Sequence, residues 1–438
     1  MQDLSIIIDE LRDEMIRTLK GWIQVPSVKS APEPGAPFGR EVRRALDLVL
    51  SDASAMGFET RNFDGYAGDV RMGPLGVDPL AILVHLDVVP AGDGWTMNPF
   101  GAEIEGGRMY GRGMSDDKGP AAAALYAMYA MKKAGLPLKR EVRLIFGCDE
   151  ESGWECMKYY LAHCDMPRTG FSPDASYPVI NTEKGMLHLS LRAGYAQDGL
   201  RVKEISVGER CNVIPGIATA LVEGDEALCA KINHLAGDMH LQVEAQMQGG
   251  LALLTSTGVP GHAAYPEAAR NAIGQLLIML RALGVTGPLR TLADQVGMEY
   301  DGLGLGILRY NEKDGLYATL DIRYPILCDH AALTACVRAA LEGIEVTVDE
   351  QKAPHHVAPN SKLVMALLDA YHEATDRPRE CVATGGGTYA RVLEEGVAFG
   401  SVFPGEEELA HQADEYMSLD SLALNMRIFA RAIEKLQG

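Results

Sequence analysis

The chain predicts an α/β domain, with a mostly parallel central sheet and helices on both faces, carrying an inserted α+β domain. Three observations carry that expectation. Short apolar runs recur that end at once in acidic loops, the pattern of strands covered on both faces. Strongly helical segments alternate with these runs over residues 1–185 and again over 353–438. Between them, residues 186–352 change texture to alternating strands with fewer helices. The length, 438 residues, fits two domains or three.

Taken in order, Ile8, Leu11, Met15, Leu19 and Trp22 recur at helical spacing, and Pro26 stops that helix. A second helix is predicted from Arg40 to Met56, with Gly57 beyond it. The run Ala81–Val84 reads as a buried strand that empties into His85 and Asp87, and ligands gather at such carboxyl ends. The stretch from Tyr110 to Pro120 holds Asp116 and Asp117 in a Gly-flanked turn before an alanine-rich helix, Pro120–Ala134. Adjacent anions repel, so the pair is either a helix cap beside a solvated charge or part of a cation site. Val142–Phe146 is another buried strand, followed by Asp149, Glu150 and Glu151, and Asp174 lies in a turn before a third apolar run.

Strands are predicted in the insert at residues 187–192, 316–323 and 344–348, with helices near 268–283 and 330–341, in two halves that read as a degenerate repeat. After Pro354 come a helix near 361–375, a Gly385-Gly386-Gly387-Thr388 turn leading into another helix, and a segment with His411 among acids. A Gly-rich turn before a helix exposes backbone N–H groups to a carboxylate or phosphate. The last helix spans about 419–436.

A formal net charge of −20 argues against nucleic acid or anionic membrane as partners. No apolar run reaches the roughly 18 residues needed to span a bilayer, and the start lacks the pattern of a secretory leader. The eight cysteines are scattered without paired spacing, which fits reduced thiols and a cytoplasmic protein.

The strand ends together present His85, Asp87, Asp116, Asp117, Glu150, Glu151, Asp174 and His411. Two imidazoles with carboxylates and no thiolate suit zinc first, or manganese or cobalt. Three ligating carboxylates and two neutral imidazoles around two divalent ions leave one positive charge, which a bridging hydroxide neutralises. Of the adjacent Glu150 and Glu151, one then binds metal and the other carries protons.

The segments HLDVVPAGDGW, GRGMSDDKGP, GCDEESG, SPDASYPV, GGGTYAR and FPGEEELAHQADEY together resemble the co-catalytic metallopeptidases. That family includes aminoacylase, carboxypeptidase G, succinyl-diaminopimelate desuccinylase, carnosinase and the bacterial dipeptidase V. The resemblance runs from about residue 80 to 425 and is closest to the dipeptidase V and carnosinase branch. It implies that Asp116 bridges two ions, with a cis peptide bond to Asp117. His85 and Asp174 would complete one ion, and Glu151 and His411 the other. Glu150 would be the general base, and Asp87 would orient the His85 imidazole. The α/β domain would be the catalytic domain and the α+β insert its lid domain, in which Asn212 and His262 would polarise the scissile carbonyl and Arg323 would pair with a substrate carboxylate, helped by Gly386, Gly387 and Thr388. The implied activity is a dipeptidase acting on small peptides with a free C-terminus, as a monomer or homodimer. An N-acyl amino acid deacylase or desuccinylase and a non-catalytic peptide-binding homologue are the alternatives.

Overall fold

The computed structural model describes residues 4–296 and 304–437. The chain divides into two compact units. One holds the described parts of Met1–Thr182, His356–Ala383 and Gly387–Gly438; the other holds those of Glu183–His355 with Thr384–Gly386.

In the first unit the strands lie in the order Glu59–Phe63, Ala67–Met72, Val142–Gly147, Leu80–His85, Thr169–Ser172, Glu395–Phe399 and Val179–Glu183. The middle four are parallel. The flanking strands are antiparallel, so the sheet is parallel where it carries the acidic turns and antiparallel at its edges. Leu80–His85 and Val142–Gly147 are buried at every position, as their largely apolar sequences require, with the one arginine among them, Arg143, paired with buried Glu141 at 2.9 Å. Helix Lys118–Ala134 is buried along nearly its whole length, and its alanines let it lie close to strand Leu80–His85 and to helices Leu4–Ile23 and Leu419–Lys435. Trp22 links this layer to the next, its indole N–H donating to Asp52 at 2.7 Å and its ring edge-on to Phe146.

The second unit is built on an antiparallel sheet ordered Val243–Gln248, Leu251–Thr257, Ile217–Val222, Val202–Val207, Leu305–Asn311, Gly315–Tyr324, Gly185–Ala193 and Glu345–Lys352. The order mirrors itself about the pairing of Val202–Val207 with Leu305–Asn311. Each half ends in an edge strand that directly follows a helix, Glu226–Asp238 in one and His330–Ala340 in the other.

Several expectations need correction. The insert has helices at Glu226–Asp238 and Gly287–Asp294 besides Ala272–Ala282 and His330–Ala340. The first of these buries only Cys229, Ile232 and Ala236, too thin a stripe to stand out as a periodic pattern. The Gly-rich turn leads into a single 3₁₀ turn, Tyr389–Val392, and then strand Glu395–Phe399, in place of the expected helix. Asp117 occupies the cap position of its helix without making a side-chain capping bond. Among the described residues, no single helix is long and apolar enough to cross a membrane.

Candidate metal centre

His85 closes its strand in register with Gly147, so the turn carrying Glu150 and Glu151 leaves the sheet beside it. The imidazole is fully buried, and its Nδ1 donates to the main-chain carbonyl of Asp87 at 2.8 Å. A carbonyl can only accept, so Nδ1 bears the proton and Nε2 faces the carboxylates. Nε2 lies 2.8 Å from Asp116 Oδ1 and 3.7 Å from Asp174 Oδ2. The other oxygen of Asp116 lies 3.1 Å from His411 Nε2, which is in turn 3.0 Å from Glu151 Oε2. Two donor groups result, His85–Asp116–Asp174 and Asp116–Glu151–His411, the atoms of each within 4.8 Å of one another. Asp116 belongs to both.

Backbone contacts hold these groups in place. The Asp116–Asp117 peptide bond is cis. Asp117 accepts the His85 amide through Oδ2 at 3.0 Å, while its buried Oδ1 has no hydrogen-bond partner among the described residues. The Asp87 carboxylate accepts the amides of Glu150 and Glu151 at 3.0 and 3.1 Å and stays 3.7 Å from the His85 ring. Asp87 thus orients the imidazole through its main chain and shapes the acidic turn through its side chain. Asp149, also fully buried, braces the same turn by accepting from Lys29 Nζ at 2.5 Å and the Glu155 amide at 3.0 Å.

His411 stands in a loop whose backbone is left-handed at two non-glycine positions, His411 (φ 65) and Asp414 (φ 55). Asp414 fastens the loop by accepting from the amides of Thr96 and Met97 at 2.8 and 3.1 Å and from the Thr96 hydroxyl at 2.8 Å. Next to it Glu415 is fully buried and accepts from Arg112 Nη1 at 2.6 Å and from the Ser115 amide at 2.8 Å. Sequence reasoning passed over Glu415 and Asp149, because each is one more acid in a string of acids and only the fold turns it inward.

The electrostatics follow from this crowding. Burial, reinforced by Glu151, Asp116 and Asp87 and opposed by His85, pushes the Glu150 carboxyl up to about 8. Burial also raises Asp174 and Asp117 well above the carboxylate range. Burial alone would lower His85, but its bond to Asp116 and the charges of Asp174, Asp116 and Asp87 raise it well above the imidazole value. His411 is pushed up to about 10 by its bonds to Asp116 and Glu151. Among the described residues the nearby cations are Lys29, engaged with Asp149, Arg112, engaged with Glu415, and buried Lys118, which burial brings down to about 7 and whose Nζ donates to the carbonyls of Trp22 and Val25. Six further acids, Asp87, Asp116, Asp117, Glu150, Glu151 and Asp174, lie in this region. Imidazole nitrogens and carboxylate oxygens, gathered with so little positive charge, fit two divalent cations that share Asp116.

The remaining predicted residues fall in two places. In the second unit, Val213–Ile214 pairs with Gly261–His262, which brings Asn212 Nδ2 to 3.2 Å from His262 Nε2. His262 Nδ1 accepts the Ala264 amide at 3.0 Å, so Nε2 is the ring's N–H donor. Asp321 holds Arg323 through two parallel bonds, Nε to Oδ1 at 2.7 Å and Nη2 to Oδ2 at 2.8 Å, while Nη1 donates to the Gly385 carbonyl at 2.9 Å. Three of the five guanidinium hydrogens are used in this way, leaving one on each terminal nitrogen. A side chain at Gly385 would collide with the Ala264 carbonyl, at 2.1 Å, and Tyr265 reaches Thr384 at 2.7 Å, so the turn running into Gly386 is fastened to the His262 loop. Gly387 and Thr388 belong to the first unit, where the Thr388 hydroxyl accepts the Ala390 amide at 3.2 Å.

Known proteins share this architecture. The YtjP protein of Bacillus subtilis (strain 168) is 35% identical over 97% of this chain and 97% of its own. The Beta-Ala-Xaa dipeptidase of Lactobacillus delbrueckii subsp. lactis is 33% identical over 97% and 96%. Human carnosine dipeptidase 1 superposes over 99% of both chains with a TM-score of 0.60 at 16% identity, a likeness of fold. Peptidase family M20/M25/M40 matches residues 81–435, and the chain belongs to that family.

Proposed function

We propose that the protein is a metal-dependent dipeptidase that hydrolyses small peptides with a free C-terminal carboxylate. The observation that carries this reading is the pair of donor groups joined through Asp116. His85, Asp116 and Asp174 would hold one divalent cation and Asp116, Glu151 and His411 a second, zinc before manganese or cobalt. Such ions, when bound, supply Lewis acidity and acidify water. The protein's own groups do the rest.

Glu150, held by Asp87 beside the donor groups, takes a proton as water oxygen adds to the peptide carbonyl carbon. It returns that proton to the nitrogen as the C–N bond breaks, releasing two amino acids. His262 donates from Nε2 to the carbonyl oxygen as negative charge grows there, and the Asn212 Nδ2 amide beside it is a second donor to the same oxygen. Arg323, its plane fixed by Asp321, offers its remaining N–H groups to the substrate carboxylate, with Gly386, Gly387 and Thr388 contributing to that end. The scattered cysteines support a cytoplasmic setting.

Turnover of a panel of dipeptides with Zn²⁺ or Mn²⁺, set beside N-acetyl- and N-succinyl-amino acids, tests the proposal together with metal analysis. Dipeptides are expected to be the better substrates, with two ions bound per chain. Faster cleavage of the acylated amino acids, or a protein that retains no divalent ion, would overturn it.

A further inference from the structure

We infer that Glu415 is a positioning residue for the shared carboxylate, so that a buried acid touching neither substrate nor cation sets how tightly the two cations are held. The inference rests on the metal centre proposed above.

The Glu415 side chain is fully buried and accepts from five groups on one short loop. These are Arg112 Nη1 at 2.6 Å, the Gly113 amide at 3.1 Å, the Ser115 amide at 2.8 Å, the Ser115 hydroxyl at 3.1 Å and the Asp116 amide at 3.3 Å. The Glu415 carbonyl also accepts the Gly111 amide at 2.8 Å. Successive amides can converge on one anion only where the chain coils tightly, and Gly113 supplies this with φ 93, a conformation that a side chain would strain.

A buried carboxylate is costly unless its lone pairs are filled, and a loop that needed only to be ordered could be filled by an apolar side chain. What the carboxylate adds is a fixed origin for Asp116. Its amide is tied at one end, while its two oxygens must meet His85 Nε2 at 2.8 Å and His411 Nε2 at 3.1 Å at the other. Only three residues separate His411 from Glu415, and Asp414 pins that link to Thr96 and Met97. The donors from two distant stretches of chain are thereby registered to one anchor. Arg112 balances the anchor's charge, so Glu415 does not compete for the cations.

The test uses the full-length protein, metal-depleted and then titrated with Zn²⁺ against a chromophoric chelator and with Co²⁺ followed by its visible absorption. Glu415→Gln keeps the size of the side chain and removes the charge. It is expected to fold, to bind about 10–100-fold more weakly and to show an altered Co²⁺ spectrum, the range seen when groups behind metal ligands are removed. Glu415→Asp, which keeps the charge, should recover part of the loss. If Glu415→Gln does not fold, Ser115→Ala removes a single bond to the carboxylate and should weaken binding several-fold. Wild-type affinity and spectrum in a folded Glu415→Gln protein, or in Ser115→Ala if only that variant folds, would sink the inference while leaving the dipeptidase reading intact. A wild-type protein that takes up no Zn²⁺ or Co²⁺ would remove both.

Discussion

The donor groups of the first unit and the Asn212–His262–Arg323 set of the second place reactive side chains in opposite ways. The first set is highly charged and centres on the fully buried His85 at the end of a parallel strand, with the Glu151 and Asp174 turns leaving neighbouring strands, while Asp116 and the exposed His411 come from loops tied down by hydrogen bonds. In the second set His262 is exposed on a two-residue strand, where its Nδ1 accepts the Ala264 amide and its Nε2 lies beside the Asn212 amide. Cation ligands must gather charge that water would otherwise screen, and only a closed framework keeps them together. Neutral donors such as Asn212 and His262 can work from the surface, because exposing them costs little, whereas the charged Arg323 is largely buried against Asp321. The two sets share one device, a buried acid that holds another functional group, Glu415 in one and Asp321 in the other.

The sharpest way to break this contrast is Glu150→Gln, expected to lower kcat by about 10²–10⁴-fold while the protein keeps its cations, as read by turnover and metal analysis. Retained turnover would place the proton carrier elsewhere. His262→Ala should cost about 10²–10³-fold in kcat with no change in metal content; a loss of metal would mean that the two sets are not chemically separable.

The third test concerns the buried set alone. Without cations, His411 is pushed up to about 10 and Glu150 to about 8, so both hold protons near neutrality, and His85 and Asp174 are shifted in the same direction. Ligation by His85, His411 and Asp174 requires their deprotonated forms, so cation binding should release protons, and affinity should fall about tenfold per pH unit of acidification for each proton released. Calorimetry in buffers of different ionisation enthalpy measures that number, and a value of zero would contradict the assignment. The smallest effect is expected from Asp321→Asn, which frees the Arg323 fork. KM for dipeptides should rise about three- to tenfold at nearly constant kcat. A fall in kcat with unchanged KM would assign Asp321 a different task.

What the sequence made legible was the chemistry that sits at element ends. An apolar run such as Ala81–Val84 announces a buried strand, and whatever follows it must emerge at the sheet's edge, so His85, the Glu150 turn and Asp174 could be grouped before any coordinates. Glu415 and Asp321 were not legible, because burial of an acid is decided by donors that arrive from elsewhere in the chain. Arg112 lies 303 residues from Glu415. The hairpin Glu103–Glu105 with Arg108–Tyr110 was missed for a plainer reason: three-residue strands are too short to show alternation.

The left-handed backbone at His411 and Asp414 bears on how the enzyme ages. Each such position costs on the order of 1 kcal/mol, and the contacts around the loop offset it. With His411 assigned to a cation, chelation takes one contact from its ring, and the exposed run from Gly405 to Glu408 is attached to a segment with a reason to relax. Proteases cut where chain can leave its framework. Metal-depleted enzyme should therefore be nicked between Pro404 and Gln412 while the loaded enzyme survives, as limited proteolysis with and without chelator would read.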